Sequence, residues 1–314
     1  MNTDRVLLIF NPKAGRSMIG GHLVGILQIL TSAGLKVECY PTSGPGDARD
    51  LVRGLSEGYR MILCAGGDGT LDEVVCGMME NEKLSGVPAG YIPAGTTNDF
   101  ASTLQIPTDM EEAAAVITGG RVMDCDIGCF NGNAYFTYIA AFGLFTDTSY
   151  ETPQELKNVF GHAAYVLQGA RTLGKLRTWR VHVTGDRTDI LDDIAFGMVT
   201  NSRSVGGFPN LTGSGVDLSD GLFEVTLIRL PSNPAELNDL VSALAGADFE
   251  NTDMIYHFST RSLRIECDEP LSWTRDGEYA GDHARVDISV LEKRLKIMVP
   301  ASGGTGPGNG GGKT

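Results

Sequence analysis

The sequence lacks the features of a membrane-spanning or exported chain. It contains no run of about 18 consecutive apolar residues, the length that a membrane-spanning helix needs. The apolar run Val6–Phe10 near its start is too short for the core of a signal peptide and has the composition of a buried strand. We therefore expect a cytoplasmic protein.

Basic residues are also scarce. Lysine and arginine number 25 against 39 aspartates and glutamates, which gives a formal net charge of −14 and a pI near 4.7. Nonspecific binding to nucleic acid relies on basic surface, so we expect no nucleic-acid partner. The same acidity gives no general attraction to an anionic membrane, so any contact with a bilayer should be peripheral and transient.

The six cysteines lack the spacing of a zinc site. Only Cys125 and Cys129 lie close together, and no histidine or second cysteine pair is near them. Cys39 and Cys64 lie in apolar, strand-like runs, so we predict that both are reduced residues of the core.

Strand-like and helix-like segments alternate over roughly the first third of the chain. The predicted strands are Val6–Phe10, Lys36–Tyr40, Met61–Ala65 and Ala89–Ile92. The predicted helices are Gly21–Ala33, Asp47–Glu57, Asp72–Met79 and Asp109–Thr118, the last capped by Asp109. Such alternation is typical of βαβ units and a parallel sheet.

Short strand-like runs, broken by Gly, Asn and Asp turns, dominate after Asp124. They are Ala134–Ala141, Thr178–Val183, Ile194–Thr200, Leu222–Arg229, Met254–Ser259, Ser262–Cys267 and Val286–Leu291. Helical stretches interrupt them near Ala163–Leu173 and Pro234–Ala245. These runs predict a separate, mostly antiparallel β domain.

The predicted fold class is therefore α/β plus β, with a Rossmann-like α/β domain followed by a β-rich, sandwich-like domain. We place the first domain at residues 1–123, joined by a returning strand at about 292–300, and the second at residues 124–291. The glycine-rich tail 301–314 has no apolar anchor and is expected to be disordered.

The most informative motif joins the third predicted strand to a helix through three glycines with an aspartate between them. Glycines let backbone N–H groups approach a ligand closely, and a helix N-terminus attracts anions, so the motif suits phosphate. It matches neither the Walker A loop nor the dinucleotide-binding pattern. A tight strand-to-helix turn is the alternative, although a bare turn has no need of the aspartate. The candidate residues are Gly66, Gly67, Asp68, Gly69, Thr70, Leu71 and Asp72.

Two further loops follow the first and fourth predicted strands. Their candidate ligand-binding residues are Asn11, Pro12, Lys13, Gly15 and Arg16 in one loop, and Thr96, Asn98 and Asp99 in the other. Ligands of open α/β sheets bind at the carboxyl ends of the strands, so we expect the three loops to meet there. Lys13, Arg16 and Thr96 suit phosphate, whereas Asn98 and Asp99 suit a metal-bound water or a substrate hydroxyl. Taken singly, the loops also fit an isolated turn and a capped helix start.

Three phosphate-type loops in this order resemble the N-terminal motifs of the diacylglycerol kinase catalytic family. The segments NPKAGR, GGDGTLDEVV and PAGTTNDFA carry the resemblance, which extends over nearly the whole chain. Within that family the chain is similar to the soluble bacterial lipid kinases of the diacylglycerol kinase B and YegS type. The resemblance implies an NAD-kinase-type first domain, ATP and Mg²⁺ as cofactors, and a diacylglycerol-like lipid substrate that is converted to a phosphatidic acid.

The resemblance also assigns residues in the second domain. Asp220, with Asp217 and Leu222, would hold a structural Mg²⁺, partly through backbone oxygens or water. In the segment Asp276-Gly277-Glu278, Glu278 would accept the proton of the substrate hydroxyl. Asp276 stays open as the base or as a residue that orients it. The residues alone are also compatible with a plain acidic hairpin turn at Asp217–Val225 and with a polar β-turn at Asp276–Glu278.

Further positions follow from the same comparison of motifs. Thr42 would contact ATP, with Gly46 and Asp47 as a glycine–acid pair just downstream. Asp124 and Asp126, where the chain crosses between the predicted domains, would join a water network that reaches the magnesium.

The chain departs from the family pattern at Asp72, where the family commonly has asparagine. The acidic side chain has the same shape but lacks the amide donor. The segments Phe142–Phe145 and Val205–Pro209 are candidates to line an acyl groove, although both also suit a core.

Other functions stay open at this point. The acceptor is a sphingoid base, a prenol or NAD in one alternative, and in another the chain is a catalytically weak nucleotide-binding regulator. The oligomeric state is not set by the sequence, and a homodimer is one arrangement that it allows.

Overall fold

The computed structural model describes residues 4–14, 19–144, 177–202, 204–205, 208–209, 216–246, 249 and 251–301. The predicted helix at Ala163–Leu173 and the tail beyond residue 301 lie outside these residues. None of the described helices is long and apolar enough to cross a membrane.

The first part of the chain contains the four predicted parallel strands. They are β1 (Arg5–Phe10), β2 (Lys36–Pro41), β3 (Met61–Gly66) and β4 (Ala89–Pro93), and they lie side by side in the order β4-β3-β1-β2. The helices of this part are α1 (Ile19–Ser32), α2 (Asp47–Arg53), α3 (Asp68–Glu80), α4 (Asp99–Thr103) and α5 (Met110–Gly119). A 3₁₀ turn at Glu82–Leu84 lies between α3 and β4. The predicted strand–helix alternation is confirmed.

Strand position explains which predicted core residues are buried. Every residue of β3 is buried, because β3 lies between β1 and β4, and Cys64 is one of them. β2 forms the end of the sheet and is largely exposed. The prediction of a core position is therefore confirmed for Cys64 and wrong for Cys39, which is exposed on β2.

Helix boundaries follow local capping. Asp109 caps α5, because its side chain accepts hydrogen bonds from the backbone N–H groups of Glu111 and Glu112. α2 is shorter than predicted and ends at Arg53, followed by Gly54. α3 begins at Asp68, four residues before its predicted start, so the aspartate of the glycine loop lies in the first helical turn.

The remaining strands are mostly antiparallel. They are β5 (Arg121–Phe130), β6 (Ala134–Phe136), β7 (Ile139–Gly143), β8 (Trp179–Gly185), β9 (Asp189–Thr200), β10 (Ser204–Val205), β11 (Phe208–Pro209), β12 (Phe223–Arg229), β13 (Ile255–Thr260), β14 (Ser262–Arg275) and β15 (Glu278–Val299). The helix α6 (Pro234–Gly246) begins where predicted, with the side chain of Asn233 accepting from two backbone N–H groups. β5 was not predicted as a strand.

The long strand β15 connects the two parts of the molecule. It unites two predicted strand-like runs, pairs antiparallel with β14 and β5, and meets β4 in a parallel pairing at Ile297 and Ala89. Thirteen of the described strands consequently belong to one hydrogen-bonded sheet, whose main order is β13-β12-β9-β7-β14-β15-β4-β3-β1-β2.

Two clusters of buried apolar side chains stabilise this arrangement. One surrounds β1, β3 and β4 and includes residues of α1, α3 and α5. The other lies between strands of the second part and contains Trp273, whose ring centroid is 4.8 Å from that of Phe142 and 5.4 Å from that of Phe130. Phe142 is fully buried, so it belongs to this core and does not line a groove.

Candidate active site

The loops after β1, β3 and β4 lie next to one another at the carboxyl edge of the parallel strands. The backbone N–H of Asn11 donates to the carbonyl of Ala65 at 3.0 Å, and the N–H of Ala94 donates to the carbonyl of Gly66 at 2.7 Å. The loop after β2 lies alongside, since the N–H of Thr42 donates to the carbonyl of Phe10 at 2.9 Å. The structure therefore brings the described parts of the predicted phosphate loops together.

Glycines are needed where two of these loops touch. A Cβ atom placed on Gly95 would lie 2.6 Å from the Cα of Gly67, and one on Gly66 would lie 2.7 Å from the Oγ1 of Thr70. These distances are shorter than side chains tolerate, so only glycine permits this approach. The resulting surface is formed largely by backbone, as a phosphate site requires.

Asn98 organises the loop after β4. Its backbone lies in the left-handed region, with a φ of 53°. Its Oδ1 accepts from the N–H of Gly95 at 2.9 Å and from the hydroxyl of Tyr91 at 3.2 Å, while its Nδ2 donates to the carbonyl of Gly95 at 2.9 Å. The amide group thus braces the loop from within. The adjacent Asp99 is buried at the start of α4.

Asp68 is the most unusual carboxylate of the phosphate loops. Its Oδ2 accepts from the N–H of Asp99 at 3.2 Å, whereas its buried Oδ1 has no hydrogen-bond partner within the described part of the chain. Burial, followed by the nearby charge of Asp99, raises the pKa of Asp68 to about 6. Most buried oxygens in folded proteins accept a hydrogen bond, so the Oδ1 of Asp68 is a polar atom that could accept one from a bound group.

The hairpin turn between β14 and β15 reaches this loop from the second part of the chain. The Oε1 of Glu278 lies 3.8 Å from the position of a Cβ atom built on Gly69. Glu278 is exposed at the start of β15, and Gly69 lies in the first turn of α3. The structure therefore places a solvent-accessible carboxylate beside the N-terminus of the phosphate-loop helix.

Asp276, two residues earlier, has a different environment. It is buried, with a φ of 47°. Its Oδ2 accepts from the N–H and the hydroxyl of Thr137, and its Oδ1 accepts from the N–H groups of Tyr138 and Ile139 at 3.0 Å. These four donors hold the carboxylate against the turn between β6 and β7. They also explain why the predicted run Ala134–Ala141 is two strands.

The carboxyl group of Asp72 contacts other side chains and is not free to bind a ligand at the predicted phosphate loops. Asp72 lies one turn after Asp68 on α3, near the carboxyl group of Asp276, and its Oδ1 accepts from the Sγ of Cys76 at 3.3 Å. Burial and the charge of Asp276 hold the pKa of Asp72 well above its usual range. Asp72 is thus part of the contact between α3 and the hairpin turn.

The predicted magnesium residues form an acidic loop before β12. The Oδ1 of Asp217 accepts from the N–H and hydroxyl of Ser219, and the Oδ1 of Asp220 accepts from the N–H of Leu222. No group of three or more acidic, histidine or cysteine side chains in the described ranges is arranged to hold a metal ion. Any cation here would therefore rely on two carboxylates, backbone oxygens and water.

Two other carboxylates lie near this loop: Asp126, which the sequence analysis expects in a water network reaching the magnesium, and Glu224, which sequence reasoning missed. Asp126 is fully buried and accepts from the N–H groups of Gly221 at 2.7 Å and Lys293 at 2.6 Å, so it holds the acidic loop against β15. Glu224 has a buried Oε2 without a partner in the described structure, and burial raises its pKa to about 7. The sequence signal available for Glu224 was an acidic residue within the apolar run Leu222–Arg229. No local sequence signal showed that Asp126 holds the acidic loop in place.

Several predicted site residues are exposed on the loops or lie outside the residues that the structure describes. Pro12 and Lys13 are exposed on the first loop, and the N–H of Lys13 donates to the Oδ1 of Asn11 at 2.9 Å. Thr96 is exposed on the loop after β4. Gly15, Arg16 and Phe145 lie outside the described residues, as do the side chains of residues 205–209.

Comparison with known proteins agrees with a catalytic domain followed by a β-sandwich-like domain. Residues 5–130 match the model of the diacylglycerol kinase catalytic domain, and residues 147–299 match that of the YegS C-terminal NAD kinase beta sandwich-like domain. The diacylglycerol kinase of Bacillus subtilis is 35% identical over 282 residues, covering 88% of this chain and 90% of its own. That of Staphylococcus carnosus is 34% identical over 298 residues, covering 94% and 95%.

A solved structure resembles the chain over almost its full length. It comes from Bacillus anthracis str. Sterne and is proposed to be a diacylglycerol kinase; it superposes with a TM-score of 0.79 at 27% identity, covering 95% of this chain and 96% of its own. The chain therefore belongs to the diacylglycerol kinase family. It is a lipid kinase, a phosphotransferase with an alcohol acceptor, with a catalytic domain followed by a β-sandwich-like domain.

Proposed function

We propose that this protein transfers the γ-phosphate of ATP to the primary hydroxyl of diacylglycerol and produces phosphatidic acid. The observation that supports it most is the position of Glu278 beside Gly69, where a carboxylate from the β14–β15 turn meets the glycine loop. Phosphoryl transfer depends mainly on positioning and charge neutralisation, and this arrangement joins a phosphate-binding surface to a proton acceptor.

ATP would be held at the carboxyl edge of the parallel strands. The backbone of the Gly66–Leu71 loop and the N-terminus of α3 would bind its phosphates, with Asn11 and Thr42 on the neighbouring strand ends. In this proposal residues 1–123, with a strand at about 292–300, form a Rossmann-like, NAD-kinase-type nucleotide domain, and residues 124–291 form the β-rich domain. Lys13 and Thr96 would contribute at the rim of the site, and the buried Asp99 would contribute at the start of α4.

Glu278 would act as the general base. It would take the proton of the lipid hydroxyl while the hydroxyl oxygen forms a bond to the γ-phosphorus, and the bond from that phosphorus to the departing ADP oxygen breaks. Glu278 suits this role because it is exposed to an incoming substrate. Asp276 would orient the turn, since its own oxygens already accept four hydrogen bonds.

The acidic loop before β12 would hold Mg²⁺. Asp217 and Asp220 supply carboxylate oxygens there, a backbone oxygen at Leu222 is available, and the unpaired Oε2 of Glu224 lies near both acids. Mg²⁺ prefers hard oxygen ligands and keeps several waters, so this donor set fits the ion. When bound, the ion would neutralise the repulsion between these carboxylates and stabilise the loop.

The lipid would be reached by transient contact with a membrane surface. The family relationship implies a lipid substrate, and none of the described helices could cross a bilayer. Peripheral contact is therefore the arrangement that brings a membrane lipid to this site.

A transfer assay tests the proposal. The wild-type protein would be incubated with Mg²⁺, [γ-³²P]ATP and mixed micelles that contain diacylglycerol, a sphingoid base or a prenol. We expect label to enter diacylglycerol fastest. Faster labelling of another lipid would overturn the acceptor, and labelling of none of them would favour a nucleotide-binding regulator.

A further inference from the structure

A continuous series of hydrogen bonds connects the acidic loop before β12 to the turn that carries Glu278. The series begins in the loop, where the N–H of Gly221 donates to the Oδ2 of Asp126 on β5 at 2.7 Å. The backbone carbonyl of Asp126 accepts from the Nδ2 of Asn201, the residue after β9, at 3.0 Å. The amide side chain of Asn201 therefore joins β5, and with it the acidic loop, to the end of β9.

The second half of the series runs from Asn201 to the turn. The N–H of Asn201 donates to the carbonyl of Tyr138 at 3.0 Å, and the N–H of Tyr138 donates to the Oδ1 of Asp276 at 3.0 Å. The N–H of Asp276 donates back to the carbonyl of Ile139 at 2.9 Å, so the turn is bound to this segment in both directions. Two regions that are far apart in the sequence are thus linked through Asn201.

The residues of the series are shielded from water. Asp126 and Asn201 are fully buried, and Tyr138 and Asp276 are buried as well. Hydrogen bonds are electrostatically stronger in such surroundings than in water, and a buried carbonyl that loses its donor finds no solvent to replace it. A shift of one member of the series therefore either moves the next member or leaves a buried polar group unpaired.

The acidic loop is the end of the series that responds to a cation. Asp217 and Asp220 place two carboxylates in this loop, and the buried Oε2 of Glu224 has no partner in the described structure. Like charges repel, so the loop without a cation tends to open, whereas oxygen ligands drawn to one Mg²⁺ close it. Closure holds Gly221, the neighbour of Asp220, on the carboxylate of Asp126.

We propose that Asn201 is a positioning residue that couples the acidic loop to the turn, so that a divalent cation bound in the loop orders the turn in which Glu278 lies. This inference rests on the proposed function for the cation site and for the role of Glu278. Coupling between two sites is reciprocal, so the loss of Asn201 weakens the binding of the cation as well as the order of the turn.

The first test follows both ends of the series without any substrate. Hydrogen–deuterium exchange is measured with Mg²⁺ and after removal of the ion with EDTA, at Gly221 and at the three N–H groups of residues 137–139 that donate to Asp276. In the wild type we expect Mg²⁺ to slow exchange at both ends by about fivefold or more, the size of a typical coupling. In Asn201→Ala, Mg²⁺ should slow exchange in the loop only, and Asp220→Asn should lose both effects.

A second buried asparagine provides the matched control. The Nδ2 of Asn81 donates to the carbonyls of Val52 and Leu55 at 2.9 and 3.0 Å, outside the series. Asn81→Ala should therefore destabilise the fold as Asn201→Ala does and should keep the effect of Mg²⁺ on residues 137–139. Protection of the turn that persists in Asn201→Ala, or that is lost equally in Asn81→Ala, would overturn the inference.

The second test measures the consequence for transfer. We expect Asn201→Ala to lower kcat by roughly tenfold to a hundredfold with little change in ATP affinity, because small misplacements of a catalytic group have effects of that size. The Mg²⁺ concentration that gives half of the maximal rate should rise in the same variant. A kcat and a Mg²⁺ dependence equal to those of the wild type would contradict the positioning role.

The two tests separate this inference from the proposed function. If Mg²⁺ protects the turn through Asn201 but no lipid is phosphorylated, the coupling stands and the proposed reaction fails. If lipid is phosphorylated and Mg²⁺ protects the loop without the turn, the reaction and the cation site stand and the coupling is refuted. If Mg²⁺ protects neither segment, the proposed cation site fails and the coupling is refuted with it.

Discussion

The two sides of the candidate site are built from different chemical groups. At the strand ends, glycines such as Gly67 and Gly95 let backbone segments approach each other, and the half-buried Asp68 has one buried oxygen without a partner in the described structure. At the hairpin turn, the carboxylate of Asp276 is satisfied by four donors and presents Glu278 to solvent. We therefore expect the strand-end side to be sensitive to substitutions that change side-chain size. We expect the hairpin side to be sensitive to substitutions that change charge or hydrogen bonding.

The largest expected effect on stability comes from the hairpin side. Asp276→Ala would leave three buried N–H groups and a hydroxyl without their acceptor, so we expect a loss of about 3 kcal/mol or more in the free energy of unfolding. Urea denaturation measures it. Asp268→Ala, at an exposed position of the preceding strand β14, is the matched control and should change stability little. Equal losses of unfolding free energy in the two variants would contradict the proposed difference between the strand-end side and the hairpin side.

At the strand ends, removing the charge of Asp68 should instead increase the free energy of unfolding. The pKa of Asp68 is raised to about 6 in the fold, so the folded protein binds more protons than the unfolded chain between about pH 4 and pH 6, and its stability falls as the pH rises through that window. Asp68→Asn does not titrate. We expect it to be more stable than the wild type at pH 8, by on the order of 2 kcal/mol after allowance for solvent screening, while losing activity.

Thermal or urea unfolding at pH 4, 6 and 8 checks this sign. The advantage of Asp68→Asn should grow between the first two values and then level off. Asp50→Asn, on the exposed face of α2, serves as the control and should show no such growth. An advantage that shrinks with rising pH would contradict the assigned environment of Asp68.

A smaller effect is expected from a change of shape alone. Gly95→Ala places a Cβ atom 2.6 Å from the Cα of Gly67, which forces the two loops apart. We expect ATP affinity to fall about tenfold, or roughly 1.4 kcal/mol, with folding preserved. Gly21→Ala in α1, where a Cβ atom meets nothing within 4 Å, is the control. Isothermal titration of both variants should separate them, and equal affinities would show that the close approach is unimportant for nucleotide.

The strand-end side was largely predictable from the sequence, and the hairpin side was not. Apolar runs followed by glycine loops mark β1, β3 and β4 and their ligand-binding edge, because both signals are local. The burial of Asp276 depends on donors at residues 137–139, which are remote in the sequence, and no local pattern encodes that contact. The resemblance to a known family indicated that the turn matters, and only the structure distinguishes a buried Asp276 from an exposed Glu278.

Some predicted strand ends and one predicted core residue were wrong for comparable physical reasons. β14 and β15 are much longer than their apolar runs, because strand pairing extends each strand through polar residues. Cys39 was expected in the core because its neighbours are apolar, but the end position of β2 in the sheet leaves it exposed. Burial at these positions is set by the order of strands, which the sequence does not state.

The central claim is that the exposed carboxylate of the hairpin acts on a lipid hydroxyl beside the glycine loop. Its most direct test is the single-turnover transfer of the ATP γ-phosphate to diacylglycerol by Glu278→Gln, with ATP affinity measured in parallel. The account predicts a transfer rate lower by about 10² to 10⁴, the usual contribution of a general base, and little change in ATP affinity. A rate close to that of the wild type would contradict it.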